Sequence, residues 1–248
     1  MSKLRNNNIK ISIITAVYNA ENYISELINS LRMQTYHNFE WVVVNGSSTD
    51  STLEILQSIK DLDIKIISEP DFGIYDAINK GIKKSSGEYY LVLGADDKLF
   101  EFALEIFSNS IADNTDIITA NILNNNRIIS PNIGPAWRSG MFHWISQHSV
   151  GTLIRKSLHN QYGYYSSKFP IAADQLFIKS CAVNGARILS IKDIVGEFGS
   201  NGVSSTDKIG GLSEYYRIQL ITGENKLIQT ILFFARLTKV LLSAKNNG

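Results

Sequence analysis

Four absences narrow what this 248-residue chain can be. It has one cysteine, Cys181, so an internal disulfide framework is impossible; lying in an apolar helical pattern, that thiol reads as a buried structural group of a protein kept in a reducing, cytoplasmic compartment. It has no excess of either charge, with 24 Lys and Arg against 23 Asp and Glu, so no strong field draws it to nucleic acid and recognition must rest on a local site. No stretch approaches the roughly 20 uninterrupted apolar residues of a membrane span. No Gly-x-Gly-x-x-Gly follows the first apolar run, where AVYNAEN stands instead, so a Rossmann-type oxidoreductase lacks the glycines that admit a pyrophosphate.

The N-terminus imitates a secretory leader, with Lys3, Arg5 and Lys10 around the apolar ISIITAV and then Ala20. That run is short, crowded with β-branched residues and followed by an amphipathic helix pattern, so it reads as a first buried strand. Three more short apolar runs follow at 41–44, 64–67 and 89–93. Between them lie helical stripes: Ile24, Leu27, Ile28 and Leu31, then Leu53, Leu56 and Ile59, then Tyr75, Ile78 and Ile82. Strand and helix alternate with short connections, which predicts an α/β fold with a mostly parallel central sheet flanked by helices. The length suits one such domain. We place it at residues 1–215, with a half that faces a nucleotide at about 9–100 and an acceptor half at 101–215. In the latter, 116–120 reads as a strand, 124–138 as loop and 175–183 as helix. Residues 216–248 form a C-terminal helical extension, in which Leu227, Ile228, Ile231, Leu232, Phe234, Leu237, Val240 and Leu241 are accompanied by Lys226, Arg236, Lys239 and Lys245. This basic amphipathic helix packs on the domain, pairs with a second copy, or lies in a membrane interface.

In open parallel sheets ligands sit beyond the carboxyl ends of the strands. Here those ends read TAVYNAEN, NGSSTDS, SEPDFG and GADD, so acidic and polar groups collect along one edge. Asp96 and Asp97 follow a Gly and an Ala that leave room for a ligand. Two adjacent carboxylates repel unless a cation or hydroxyl donors neutralise them, and a divalent ion shared with substrate phosphates is the arrangement magnesium or manganese adopts. The alternative is that Asp97 caps a helix beginning near Leu99. Asp71 stands in a turn closed by Gly73, as a third acid on the crevice or as a turn former. Thr15, Tyr18 and Glu21 follow the first strand and Asn45 the second. Asp50 opens a helix and reads as its cap. Asp174, in FPIAADQLFIKS, is either a helix cap or a carboxylate able to take a proton from an acceptor hydroxyl.

The runs SIITAVYNAENYISELINSL, WVVVNGSSTDSTLEIL, SEPDFGIYDAINKGIKKSSGEYYLVLGADD and IAAD strongly resemble the family 2 glycosyltransferases of the GT-A fold. The resemblance covers about residues 9–205 and is nearest to bacterial members that assemble surface polysaccharides such as lipopolysaccharide or capsule, down to EFGSNGVSS. It implies an inverting, metal-dependent, hexosyltransferase-type enzyme that moves a sugar from a nucleotide diphosphate, UDP-linked in the usual case, to a glycan or lipid-linked saccharide at the cytoplasmic face of a membrane. It further implies that Thr15, Val17, Tyr18 and Glu21 line the nucleoside site, Asp71 contacts the nucleotide, Asp96 faces the ribose or sugar, Asp97 binds Mn2+ or Mg2+, and Asp174 is the general base. His148 falls where relatives carry a histidine near the acceptor or diphosphate, and Trp137, Arg138, His143 and Trp144 are candidates for an acceptor groove. Two departures stand out. Asn45 occupies the place of an Asp that accepts from the base edge, and Phe72 that of a basic residue. The rival reading is a noncatalytic nucleotide- or carbohydrate-binding module that kept the shape of the site.

Overall fold

The computed structural model describes residues 9–131, 134–146, 148–199 and 207–246, with side chains placed to 242. The turn expected in EFGSNGVSS falls largely on residues 200–206, outside the described residues. The first half alternates as its pattern predicts: β1 (Ile11–Val17), α1 (Ile24–Arg32), β2 (Phe39–Asn45), α2 (Thr52–Ser58), β3 (Ile64–Ser68), α3 (Ile74–Lys84) and β4 (Tyr89–Val92). Then come β5 (Lys98–Leu99), α4 (Ala103–Ser110), β6 (Ile117–Asn124), β7 (Arg127–Ile129), α5 (Ala136–Ser139), β8 (Thr152–Arg155), α6 (Leu158–Tyr162), α7 (Ala173–Val183), β9 (Ile188–Glu197), α8 (Lys208–Ile221) and α9 (Lys226–Asn246).

One nine-stranded sheet runs in the order β3-β2-β1-β4-β8-β6-β9-β5, with β7 on β6. Its nucleotide half is parallel through β3, β2, β1 and β4. The acceptor half is mixed: β8 is antiparallel to both β4 and β6, β5 is antiparallel to β9, and only β6 and β9 run parallel. The parallel reading thus holds for the first hundred residues and gives way to a mixed sheet beyond them. The stretch read as loop at 124–138 contains β7 and α5, and the boundary placed after residue 215 falls inside α8.

Alternate strand residues feed two cores, which is why these strands read as continuous apolar runs. Ile11, Ile13, Trp41, Val43, Tyr89 and Leu91 face α1, α2 and α4. Ile14, Tyr90, Ile117 and Ile154 face α3 and α7, where Cys181 is fully buried as a structural thiol whose pKa burial pushes up to about 12. Gly81 lets α3 lie on the sheet, since a Cβ there would come 2.6 Å from the Ile14 Cγ2. Because Val17 pairs with Asn45 and Asn45 with Ser68, the first three strands end level and their loops open on one edge.

Candidate active site

The loops after β1 and β2 are latched to one another. Asn45, fully buried, donates from Nδ2 to the Ser68 Oγ (2.9 Å), and its Oδ1 accepts from the Ser48 amide (3.1 Å) and hydroxyl (2.5 Å). The Glu21 amide donates to Asp50 (3.1 Å) while the Glu21 carboxylate accepts from the Ser51 amide (2.9 Å). Asp50 also accepts from the amide and hydroxyl of Thr52, the first residue of α2; the N-cap position itself is Ser51, so Asp50 braces the helix start from one residue before the cap and is not the cap. Thr15 is fully buried and its hydroxyl accepts from the Trp41 indole (2.9 Å). So of the residues that the resemblance sets around a nucleoside, Thr15, Val17 and Asn45 are buried at the strand ends. Tyr18, 66% exposed, stands above them. The Asp71 carboxylate closes its own turn by accepting from the Gly73 amide (2.9 Å), and its other oxygen lies against Gly46, where a Cβ would come within 2.4 Å. Glycine after β2 is therefore what allows Asp71 to reach the strand-end crevice. Phe72 projects into solvent, 99% exposed.

The acids after β4 are held from two directions. Asp97 is fully buried; its Oδ2 accepts from the Gly94 amide (2.6 Å) and its Oδ1 from the amide of Gly199 (3.0 Å), just past β9. The helix-cap alternative for Asp97 fails, because α4 begins at Ala103 and Leu99 lies in β5. Burial lifts the Asp97 pKa to about 7; the two amides oppose that rise and the charge of Asp96 adds to it. His148 stacks on Phe198 with ring centroids 3.8 Å apart, and its Nδ1 stands 4.0 Å from the Asp97 Oδ2. Burial lowers the His148 pKa to about 4 despite the pull of Asp174 and Asp96, so the imidazole is neutral at physiological pH.

Asp174 lies in the first turn of α7, whose N-cap position is Ala172. Its carboxylate accepts from the Tyr75 hydroxyl of α3 (2.6 Å). Burial raises its pKa against the lowering effect of that hydrogen bond. The entry to α7 is fixed by Glu214 of α8, whose Oε2 accepts from the amides of Ile171 (3.1 Å) and Ala172 (2.8 Å). Tyr75, Glu214 and Gly199 act on residues far away in the chain, so although Tyr75 and Gly199 lie in runs that carry the resemblance, the sequence does not mark these roles.

Asp96, Asp97, His148 and Asp174 all line one cavity of about 300 Å3, together with Tyr75 and Phe198. Thr15, Tyr18, Glu21, Asn45 and Asp71 do not line it. A wider groove adjoins it, sharing Phe142, Ile171 and Gln175 and continuing past Arg138, Tyr215 and Arg236. Of the other aromatic candidates, His143 packs edge-on against Trp144 and bonds the Gly134 carbonyl (2.8 Å), while the Trp137 carbonyl accepts from Gln219 and Gln229. Among the described residues no three His, Cys, Asp or Glu side chains form a cluster that would hold a metal ion by itself.

Residues 12–177 match the family model described as Glycosyl transferase family 2. The chain belongs to that family. An uncharacterized glycosyltransferase of Haemophilus influenzae is 46% identical over 90 residues, a match spanning 35% of this family 2 chain and 28% of that relative. The match thus reaches less than a third of the relative's length. The crystal structure of S. aureus TarS 1-349 in complex with UDP-GlcNAc superposes with a TM-score of 0.70 at 22% identity, covering 89% of this chain and 69% of that one. The mannosyltransferase PcManGT from Pyrobaculum calidifontis, in complex with GDP-Man and Mn2+, superposes with a TM-score of 0.64 at 17% identity, covering 84% and 62%. The fold is therefore of the GT-A type, with a mixed sheet flanked by helices.

Proposed function

We propose that the chain transfers a sugar, with inversion, from a nucleotide diphosphate sugar to an acceptor hydroxyl in the assembly of a bacterial surface polysaccharide. The observation that carries this reading is the meeting in one small cavity of Asp96 and Asp97 with Asp174, acids far apart in the chain. Asp174 accepts the proton of the acceptor hydroxyl as that oxygen forms a bond to the anomeric carbon, while the bond to the diphosphate breaks and its electron pair leaves with the nucleotide. A general base works best with a pKa near the operating pH, and burial moves Asp174 upward in that direction. The Tyr75 hydroxyl orients the carboxylate.

Asp97, with Asp96 beside it, would hold Mn2+ or Mg2+. Each Asp97 oxygen takes one amide hydrogen and keeps a lone pair, and an oxygen-only set of one or two carboxylates completed by phosphates is what such an ion accepts. When bound, the ion supplies positive charge to the departing diphosphate. Tyr18, Glu21 and Asp71 rim the place for the nucleoside, and a UDP-linked donor is our assignment, supported by the UDP-GlcNAc complex of TarS. Since the Asn45 carbonyl is taken by Ser48, that residue shapes the nucleoside turn and leaves the base edge to other groups. His148, neutral, borders the diphosphate. The adjoining groove takes the acceptor, a glycan or lipid-linked saccharide; at its junction with the cavity the Gln175 Oε1 is buried without a hydrogen-bond partner and is placed to accept from a hydroxyl.

The test is a panel of UDP- and GDP-sugars with Mn2+, reading nucleotide diphosphate release, beside calorimetric titration of the nucleotides. Asp174→Asn should keep nucleotide binding and lose at least about a thousandfold in turnover; Asp97→Asn should lose metal-dependent nucleotide binding. Near-normal turnover by Asp174→Asn removes the base from the scheme, and nucleotide binding without turnover by the unmodified chain favours a binding module.

A further inference from the structure

Beyond the transfer reaction, the C-terminal helices present a surface that the catalytic cavity does not use. Helices α8 and α9 form a hairpin turned at Gly223, whose φ of 90° suits glycine. The inner side of α9 packs on the domain through residues 229–236. Gln229 donates to the Trp137 carbonyl (2.6 Å), Thr230 shares a hydrogen bond with the Tyr216 hydroxyl (2.9 Å), and Phe233 packs on the Tyr216 ring. Arg236 donates to the Arg138 carbonyl (2.7 Å) and lies over the Tyr215 ring.

The outer side is another matter. Leu227, Ile228, Ile231, Phe234, Leu241 and Leu242 are between 45% and 72% exposed. At 3.6 residues per turn they fall within an arc of about 140° running along the helix, and between residues 227 and 242 only Ala235 and Thr238 share that arc. Lys239, exposed, stands at one margin of the arc, Lys226 is exposed in the first turn of the helix, and α9 contains no Asp or Glu. Among the described residues no helix is long and apolar enough to cross a membrane.

We propose that this face of α9 lies in the interface of a membrane bearing anionic headgroups. Leucine, isoleucine and phenylalanine then enter the acyl boundary while Lys239 at the margin and Lys226 at the start of the helix reach the phosphates. The charge pattern selects this occupant over a second copy of the chain. Two copies packed through this face would bring together two helices whose charged residues are all basic, with no carboxylate on either helix to pair them. The arrangement also has a geometric consequence, because Arg236, on the inner side of the same helix, lines the groove beside the catalytic cavity. A docked α9 therefore holds that groove close to the lipid surface.

The experiment is flotation of the purified full chain with vesicles of phosphatidylcholine alone or mixed with phosphatidylglycerol, with light scattering for oligomeric state and circular dichroism for folding. The unmodified chain should float with the mixed vesicles, and less so at high salt. Lys226→Ala with Lys239→Ala should weaken that binding by about thirtyfold, and Ile231→Glu with Phe234→Glu should abolish it, both variants remaining folded because these side chains face solvent. The proposal is overturned if the unmodified chain stays unbound to phosphatidylglycerol vesicles. It is equally overturned if the chain is a dimer that Ile231→Glu with Phe234→Glu turns into monomers, since the face is then a protein interface.

Discussion

Gly199→Ala tests how the acidic pair is held. A Cβ at Gly199 would stand 2.2 Å from the Asp96 Cγ and 2.5 Å from the Asp96 backbone carbonyl oxygen. The carboxylate can rotate away, but a backbone oxygen cannot, so the segment after β9 must retreat from the turn after β4. That retreat draws the Gly199 amide off the Asp97 Oδ1, which it now meets at 3.0 Å. A hydrogen bond to a charged, buried carboxylate contributes about 1.5–3 kcal/mol, and losing it also removes one of the two groups that oppose protonation of Asp97. If the pair serves the donor, kcat/KM should fall by about 10- to 100-fold, at about 1.4 kcal/mol per decade. The apparent affinity for Mn2+ should weaken in parallel, and the fold should survive, since Gly199 lies beyond the end of β9. Initial rates across a manganese titration read both quantities, with a thermal melt as the control. A variant that keeps kcat/KM within about threefold and its manganese midpoint unmoved, while remaining folded, would refute the idea that the Gly199 amide positions the acids.

Two further substitutions separate chemistry from stability. Tyr75→Phe removes the hydroxyl that donates to Asp174 and lowers its pKa, so the acid limb of the kcat/KM profile should move to higher pH and activity at neutral pH should fall several-fold; a limb that stays in place denies Tyr75 its orienting role. Glu40→Gln probes a fully buried carboxylate on β2: burial opposes its ionisation, but hydrogen bonds from Lys65, Ser12 and Ser86 outweigh that and hold its pKa at about 2, against 4.5 for the free group. A depressed carboxylate stabilises the fold above its unfolded pKa, so the variant should lose about 3 kcal/mol at pH 7, and the gap should narrow as pH falls below about 4.5 and close near pH 2. Urea unfolding at several pH values reads the gap, and a gap independent of pH contradicts the assignment.

The first hundred residues were legible because β1, β2 and β4 are buried on both faces and, with the edge strand β3, alternate with amphipathic helices. The second half was not, for a physical reason visible in β9. That strand pairs with both β6 and β5, yet four of its ten residues are exposed and only two are buried, so ILSIKDIVGE carries no clean period to read. The acids of the site could be found as strand ends, but the direction of a side chain depends on its partner across the sheet. Thr15 follows the pattern of a site residue and turns to the Trp41 indole; Asn45 does the same and turns to Ser48 and Ser68.

What sequence could not supply was the neighbour of β4. That strand lies between β1, to which it is parallel, and β8, to which it is antiparallel, so Asp96 and Asp97 leave the sheet where its direction changes. Crevices for ligands open at such switch points, because the connections on either side diverge. Here the connection into β8 brings His148, the first turn of α7 brings Asp174, and the segment just past β9 brings Gly199 onto Asp97. The acidic motif after β4 shares one cavity with His148 and Asp174 because an antiparallel strand, undetected in the apolar pattern, lies beside it.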